Sequence, residues 1–415
     1  MLMAEFDGAP GNDQQLMAGV PPFPPQALVT LANWQDPPFN RWAFQHIREL
    51  IPTARISRGS GGPRRLPRAE RDLSGLTFRS GDRDLTVADM LAETYTDGFL
   101  VLHHGQIVTE QYLNGMGPDT PHLLMSVSKS VVSSVAGILA SRGLLDVTAR
   151  VQRIVPELAG TSFDGATVQD LLDMRAGTHF DETYDNPESD VRLYERVYLW
   201  RPDGTEPRPA DALEYYATLH NDGEHGGPFR YRSILTDVLG WVLERAGGAR
   251  LHDLIARLIW QPMGAEFDAE ITVDARGNAM ADGGICATLR DLGRFGLLFA
   301  GGGSGSGGRR PEIVPAAWIR DIIAGSADGP EAFLAAGDAP GYPAGAHYRN
   351  CWWVREPAVP FFHASGINGQ NVFVHVPTQT VVVKLSTWPT ALSSRIQMTV
   401  DGVKAIAGAL TDGRA

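Results

Sequence analysis

The chain has 415 residues, 43% of them hydrophobic and 20% charged, which is ample for a large core and excludes a disordered or fibrous protein. With 36 Lys and Arg against 48 Asp and Glu, the net charge is −12, so nucleic acid and an anionic membrane are disfavoured as partners. The two cysteines, Cys286 and Cys351, cannot make a disulfide framework and point to a reducing compartment.

The opening MLMAEFDGAPGNDQQ lacks the apolar stretch of a signal peptide, and no uncharged apolar run reaches the roughly 18 residues of a membrane span. A soluble, cytoplasmic protein is expected. Length alone fits two to three domains, or one large α/β unit with an insertion.

Residues 1–93 are rich in Pro, Gly and Arg (PPFPPQ, SRGSGGPRR). They read as an arm with one short helix near Arg41–Leu50 that wraps a body, because it has too few apolar residues for a core of its own. Phe99–His103 and Ile107–Tyr112 are short apolar runs around Gly105, the pattern of a hairpin. SVSKSVVSSVAGILASR, from Ser126 to Arg142, places Val127, Val131, Val135 and Leu139 at spacings of four. That spacing predicts a helix, and its Ser, Gly and Ala content predicts close neighbours.

Residues 144–300 carry mainly helical patterns at Val168–Met174, Ala210–Leu219, Thr236–Ala246, Leu251–Ile259 and Leu289–Leu298. GGGSGSGGRR (301–310) reads as a surface loop, without the Lys-Ser/Thr ending of a phosphate-binding loop. Asn350–Arg355, Asn371–Val376 and Thr380–Ser386 read as strands, and a helix from about Leu392 to Leu410 closes the chain. The organisation is an arm (1–93), an α/β body from two segments (94–143 and 284–415) and a mainly helical domain (144–283).

There are only three lysines, Lys129, Lys384 and Lys404, and 20 serines. Chance gives about 0.14 Ser-x-x-Lys tetrads of the kind that carries an acylating serine; one occurs, at Ser126-Val127-Ser128-Lys129. On a helix, positions i and i+3 share a face. Ser126 at the helix start would meet free backbone N–H groups suited to an oxyanion. Burial would lower the pKa of Lys129 and let it take the serine proton. The plainer alternative is an N-cap serine beside a solvated lysine.

No Gly-x-Ser-x-Gly occurs, against an α/β-hydrolase elbow. His220-Asn-Asp-Gly-Glu224-His225 matches neither zinc motif and reads as a polar loop, and His103-His104 as a solvated turn.

MSVSKS (125–130), VQDLLDMRAGTH (168–179), FRYRS (229–233), GGICATLRDLGRFGLLFAGGG (283–303) and HASGINGQNVFVHVP (363–377) together resemble the serine β-lactamase/penicillin-recognising family. Within it the chain is most similar to the 6-aminohexanoate-dimer hydrolase (nylon-oligomer hydrolase) branch, whose extra arm NWQDPPFNRWAFQHIRELIPTARISRG (33–59) resembles. The resemblance implies a three-layer α/β (α+β) body, with a central antiparallel sheet flanked by helices, plus a helical domain. It implies no cofactor, no metal, a common homodimeric state, and hydrolysis of amides and esters of ω-amino acids.

Carried over residue by residue, it makes Ser126 the nucleophile, Lys129 the base and Tyr231 the proton relay. The Ser126 and Ile367 N–H groups form the oxyanion hole. Tyr184, Trp200 and Gly366 contact substrate, although Tyr184 and Trp200 taken alone are more often packing residues. The family's Tyr-x-Asn appears literally at Tyr112-Leu-Asn114 and Tyr184-Asp-Asn186; Tyr231-Arg232-Ser233, which precedes a helix, fits the context better and puts Ser233 at the Asn position. Lys-Thr-Gly falls on Ala364-Ser365-Gly366, so its lysine is absent and β-lactam hydrolysis is disfavoured. The expected activity is that of a serine hydrolase acting on linear amides and short carboxyl esters through an acyl-enzyme on Ser126. The alternatives are a carboxylesterase, a D-stereospecific peptidase or a non-catalytic penicillin-binding-like sensor.

Overall fold

The structure of the chain, a computed structural model, describes residues 16–204, 208–301, 312–335 and 341–411. The Gly/Ser-rich run expected as a loop at 301–310 lies outside the described residues from 302 onward.

Seven antiparallel strands make the main sheet: β1 (Thr96–His103), β2 (Gln106–Tyr112), β3 (His347–Arg349), β4 (Trp352–Glu356), β5 (Phe361–Gly366), β6 (Gln370–His375) and β7 (Thr380–Ser386). Their order is β2-β1-β7-β6-β5-β4-β3. Strands from both ends of the chain meet where β7 pairs with β1, Val382 opposite Val101. All seven residues of β7 are buried, as a Val run at the sheet centre requires.

Helices cover both faces. On one lie α1 (Val127–Ser141), reaching β5, and α3 (Leu289–Ala300), lying along β6 and β7. A Cβ at Gly296 of α3 would come within 2.5 Å of Val381, so this glycine permits the close approach. On the other face α4 (Arg395–Thr411) sets Val400, Val403 and Ile406 against Phe99, Phe373 and Val382. Each such side chain contributes about 1.5–3 kcal/mol when fully buried. These are the expected helix, sheet and helix layers.

α1 explains its own composition. Residues 127–139 are all buried, so its hydroxyls need protein partners. Ser130 donates to the Cys351 carbonyl at 2.7 Å, Ser134 to the Ser130 carbonyl at 2.8 Å, and Ser128 accepts from the Ile285 N–H at 3.1 Å.

Several elements depart from expectation. The arm holds Asn40–Ala43 as a single helical turn. It also contributes a strand, Thr53–Ile56, pairing with Ala269–Thr272 in a second, four-stranded sheet, and a helix, Val87–Glu93, closed by a Thr86/Asp89 capping box. Asp190–Val197, Ala316–Ala324 and Gly329–Ala335 are helices that the sequence reading did not include. The expected helix at 251–259 continues through one π-turn, Ala256–Trp260. His103, the last residue of β1, is half-buried, its Nδ1 3.1 Å from the hydroxyl of Thr380, its cross-strand partner.

Candidate active site

Ser126 stands immediately before α1, after Met125, whose φ of +46° lies in the left-handed region. A buried non-glycine residue there is strained by about 1–3 kcal/mol, and this kink turns the chain from the second sheet into the helix. The Ser126 hydroxyl caps no backbone group; it accepts instead from Lys129 Nζ at 2.9 Å. The tetrad thus joins as its i, i+3 spacing predicted.

β5 ends against this turn. A Cβ at Gly366 would lie 2.6 Å from the Leu124 carbonyl oxygen and 2.9 Å from the Ser126 nitrogen, so only glycine lets the strand approach so closely. The half-buried Ile367 follows directly, and the Ser126 N–H donates to no protein acceptor among the described residues.

Lys129 is 1% exposed. Its three N–H groups meet three acceptors, Ser126 Oγ, Ser233 Oγ and the Asp282 carbonyl, each at 2.9 Å. Three donations are the full capacity of an ammonium. Ser233 precedes α2 (Ile234–Gly247), and its N–H and hydroxyl both donate to the Glu182 carboxylate at 2.6 Å. The carboxylate therefore satisfies an open N–H at the positive end of α2. The Tyr184 hydroxyl donates to the same carboxylate.

This arrangement corrects the expected neutral lysine. Burial does push Lys129 down, but Tyr231 and the carboxyls of Asp282, Glu182 and Asp237 outweigh it, and its pKa is held above the ordinary value. Burial pushes Glu182 up, against the pull of Lys129 and Ser233. Burial also raises Asp237, reinforced by Asp282, and raises Asp282 itself against Lys129. One cation among three carboxyls cannot pair fully with them all, and all three lie above the ordinary carboxylate value.

Tyr231 lies with its ring centre 5.2 Å from Lys129 Nζ and stacks on Trp353 at 5.4 Å. Burial pushes its phenol up to about 12, opposed by Lys129 and Ser126. Tyr112 stands apart, donating to Glu110 on its own strand. Tyr184 is tied to Glu182 and half-buried. Trp200 is only 2% exposed, donates to Thr272 Oγ1 at 3.1 Å and meets Trp34 edge-on, so it belongs to the wall behind the site, with its ring tip facing Gly283. Ala364 is buried and brings no cation.

In the His220–His225 segment, His225 Nδ1 accepts from the Gly177 N–H at 3.0 Å. Among the described residues no group of three or more His, Cys, Asp or Glu could hold a metal ion, and no helix is long and apolar enough to cross a membrane. Glu182, Asp237 and Asp282 were not singled out from sequence. The only signal was an acid-rich stretch, DETYD (181–185), common to exposed loops.

Comparison with known proteins agrees with this geometry. Residues 86–401 match the Beta-lactamase family. The chain is 39% identical over 362 residues to 6-aminohexanoate-dimer hydrolase of Paenarthrobacter ureafaciens, covering 87% of this chain and 88% of that protein. Esterase EstB of Burkholderia gladioli is 32% identical over 156 residues, 36% of this chain and 38% of its own. A Bacillus anthracis structure described as a candidate 6-aminohexanoate-dimer hydrolase superposes with a TM-score of 0.84 at 27% identity, over 94% of this chain and 99% of its own. A serine and a buried lysine are joined at the start of α1 in a three-layer body matched along most of its length, and this chain belongs to the beta-lactamase family as a hydrolase.

Proposed function

We propose that the chain hydrolyses linear amides of ω-amino acids, and short carboxyl esters, through an acyl-enzyme on Ser126. The reading rests on one observation above all: the 2.9 Å contact between Lys129 Nζ and Ser126 Oγ, with Lys129 held by Ser233 and the Asp282 carbonyl. Because Lys129 is charged at rest, it gives a proton through the Ser233 hydroxyl to Glu182 before it takes the one on Ser126. The Ser126 oxygen then attacks the carbonyl carbon, and the oxyanion is received by the Ser126 and Ile367 N–H groups. Tyr231 donates a proton to the leaving nitrogen as the C–N bond breaks and recovers it through Lys129. Water, deprotonated by the same pair, attacks the acyl carbon and frees Ser126.

Amide substrates are favoured by the similarity to the Paenarthrobacter enzyme over 87% of the chain; ester cleavage as a second activity is favoured by the shorter match to Esterase EstB. β-Lactams should be poor substrates, since Ala364 and Ser233 stand where the family carries Lys and Asn. The test compares turnover of a linear amide dimer, a short acyl ester and a chromogenic cephalosporin by the parent chain and Ser126→Ala. The parent should cleave the first two and leave an acyl adduct, read by mass spectrometry, on the Ser126 peptide. Full activity in Ser126→Ala, or faster cephalosporin cleavage, would overturn the reading.

A further inference from the structure

The face of the main sheet that carries Trp353 also carries a buried cation. Arg355 sits at the bulge between Val354 and Glu356 and is 4% exposed. Its guanidinium lies 4.1 Å over the Tyr342 ring, its Nε has no hydrogen-bond partner, and no carboxylate among the described residues pairs with it. On the neighbouring strands His363 is opposite Trp353, and Asn371 is opposite Ser365. Both are fully buried, and neither ring nitrogen of His363 nor either amide atom of Asn371 has a partner. Six of the 14 buried, unpartnered side-chain polar atoms in the described chain fall on β4, β5 and β6, five of them on Arg355, His363 and Asn371. Unpaired buried groups cost stability, and His363 stands on the strand next to a guanidinium whose planar fork matches a carboxylate.

The cluster is connected to the catalytic residues. The Tyr342 ring is 6.4 Å from His363 and 5.7 Å from Trp353, and Trp353 stacks on Tyr231. Tyr231 faces the leaving nitrogen in the mechanism above, so a chain attached to that nitrogen and running along Trp353 ends at Arg355. We propose that Arg355, with His363, forms a subsite for the terminal carboxylate of the leaving ω-amino acid. This rests on the amidase reading for its orientation.

Two measurements separate the proposal from that reading. The first is the ratio of kcat/KM for an ω-amino-acid amide dimer to that for its C-terminal methylamide, which lacks the charge. The ratio should exceed about 10 in the parent and fall by about 10- to 100-fold in Arg355→Met, the scale of a lost charge-assisted pair. Arg355→Lys, which keeps the charge without the fork, should lose less and guards against a folding defect, itself read from thermal melting. The second is calorimetric titration of Ser126→Ala with sodium hexanoate, which needs no turnover. Binding there that disappears in Ser126→Ala/Arg355→Met upholds the subsite even if amides are not cleaved. Equal hexanoate binding with and without Arg355, or a ratio unmoved in both variants, overturns it; a cluster satisfied by water alone gives that result.

Discussion

Replacing Glu182 by Gln tests whether this carboxylate sets the protonation of Lys129 or only anchors its loop. Gln keeps the shape and one acceptor oxygen, but its NH2 group cannot accept from the Ser233 N–H, now bound at 2.6 Å. The bonds from the Ser233 and Tyr184 hydroxyls also lose their ionic partner. A charge-assisted hydrogen bond contributes about 1.5–3 kcal/mol and a neutral one about 0.5–1.5. Weakening two and losing one should raise the acylation barrier by about 2–4 kcal/mol, or roughly 30- to 1,000-fold in kcat/KM.

The diagnostic is the pH profile of kcat/KM on an amide without ionising groups. Activity needs Glu182 deprotonated to accept the lysine proton, so the parent's rate rises with pH through a carboxyl pKa that burial has raised. In Glu182→Gln that limb disappears. Lys129 also loses one of the charges holding its pKa up, so it reaches the neutral form at lower pH than before. The deficit should therefore be largest near neutrality and shrink as pH rises. A deficit constant from pH 6 to pH 10 would refute the relay and reduce Glu182 to a loop anchor; no deficit would remove it from the site.

Tyr231→Phe should cut kcat on an amide by about 10²-fold or more, and cut a nitrophenyl ester less, because an amine leaves only when protonated; equal losses would contradict the leaving-group role. Lys384, buried and bonded to Thr94 and Ser386, is pushed down to about 7 by burial. The unfolded chain keeps this proton up to about pH 10.4, so the charged folded form is penalised below pH 7, and the penalty fades between pH 7 and pH 10. Lys384→Met should then raise unfolding free energy by on the order of 2–4 kcal/mol at pH 7 and much less at pH 10, as measured by chemical denaturation. The Thr94 carbonyl keeps its bond from Trp388 Nε1 at 3.0 Å, while the buried Ser386 hydroxyl loses its partner at a cost that does not vary with pH, so the diagnostic is the fall in the gain between pH 7 and pH 10.

What the sequence disclosed about the fold follows the range of the interactions. α1, α3, β6 and β7 announce themselves because valine runs and four-residue spacings are local. β5 does not, since FFHASG is buried on both faces and shows no alternation; only the family resemblance marked it. The arm strand Thr53–Ile56 finds its partner at Ala269–Thr272, a pairing no local pattern encodes. The Val87–Glu93 helix was legible in principle, through Thr86 and Asp89 at capping-box spacing, but lay in a stretch dominated by Pro, Gly and Arg.

The site divides the same way, and the division has a chemical consequence. Ser126, at the N-terminal edge of α1, and Lys129 in its first turn are three residues apart, so their contact could be read directly. The charge on Lys129 could not, because it is set by residues 53, 108 and 153 positions downstream, Glu182, Asp237 and Asp282. Reasoning from burial alone gives a neutral lysine, and burial is indeed the largest single influence. It is overturned only when the tertiary fold brings several carboxyls around one ammonium. A local motif can therefore name the nucleophile and its neighbour, while the direction in which the proton moves between them is decided by long-range packing. In this chain that packing centres on Ser233, whose hydroxyl joins Lys129 to Glu182. An asparagine at the same place, as the family's Tyr-x-Asn carries, has no hydroxyl proton to pass between them.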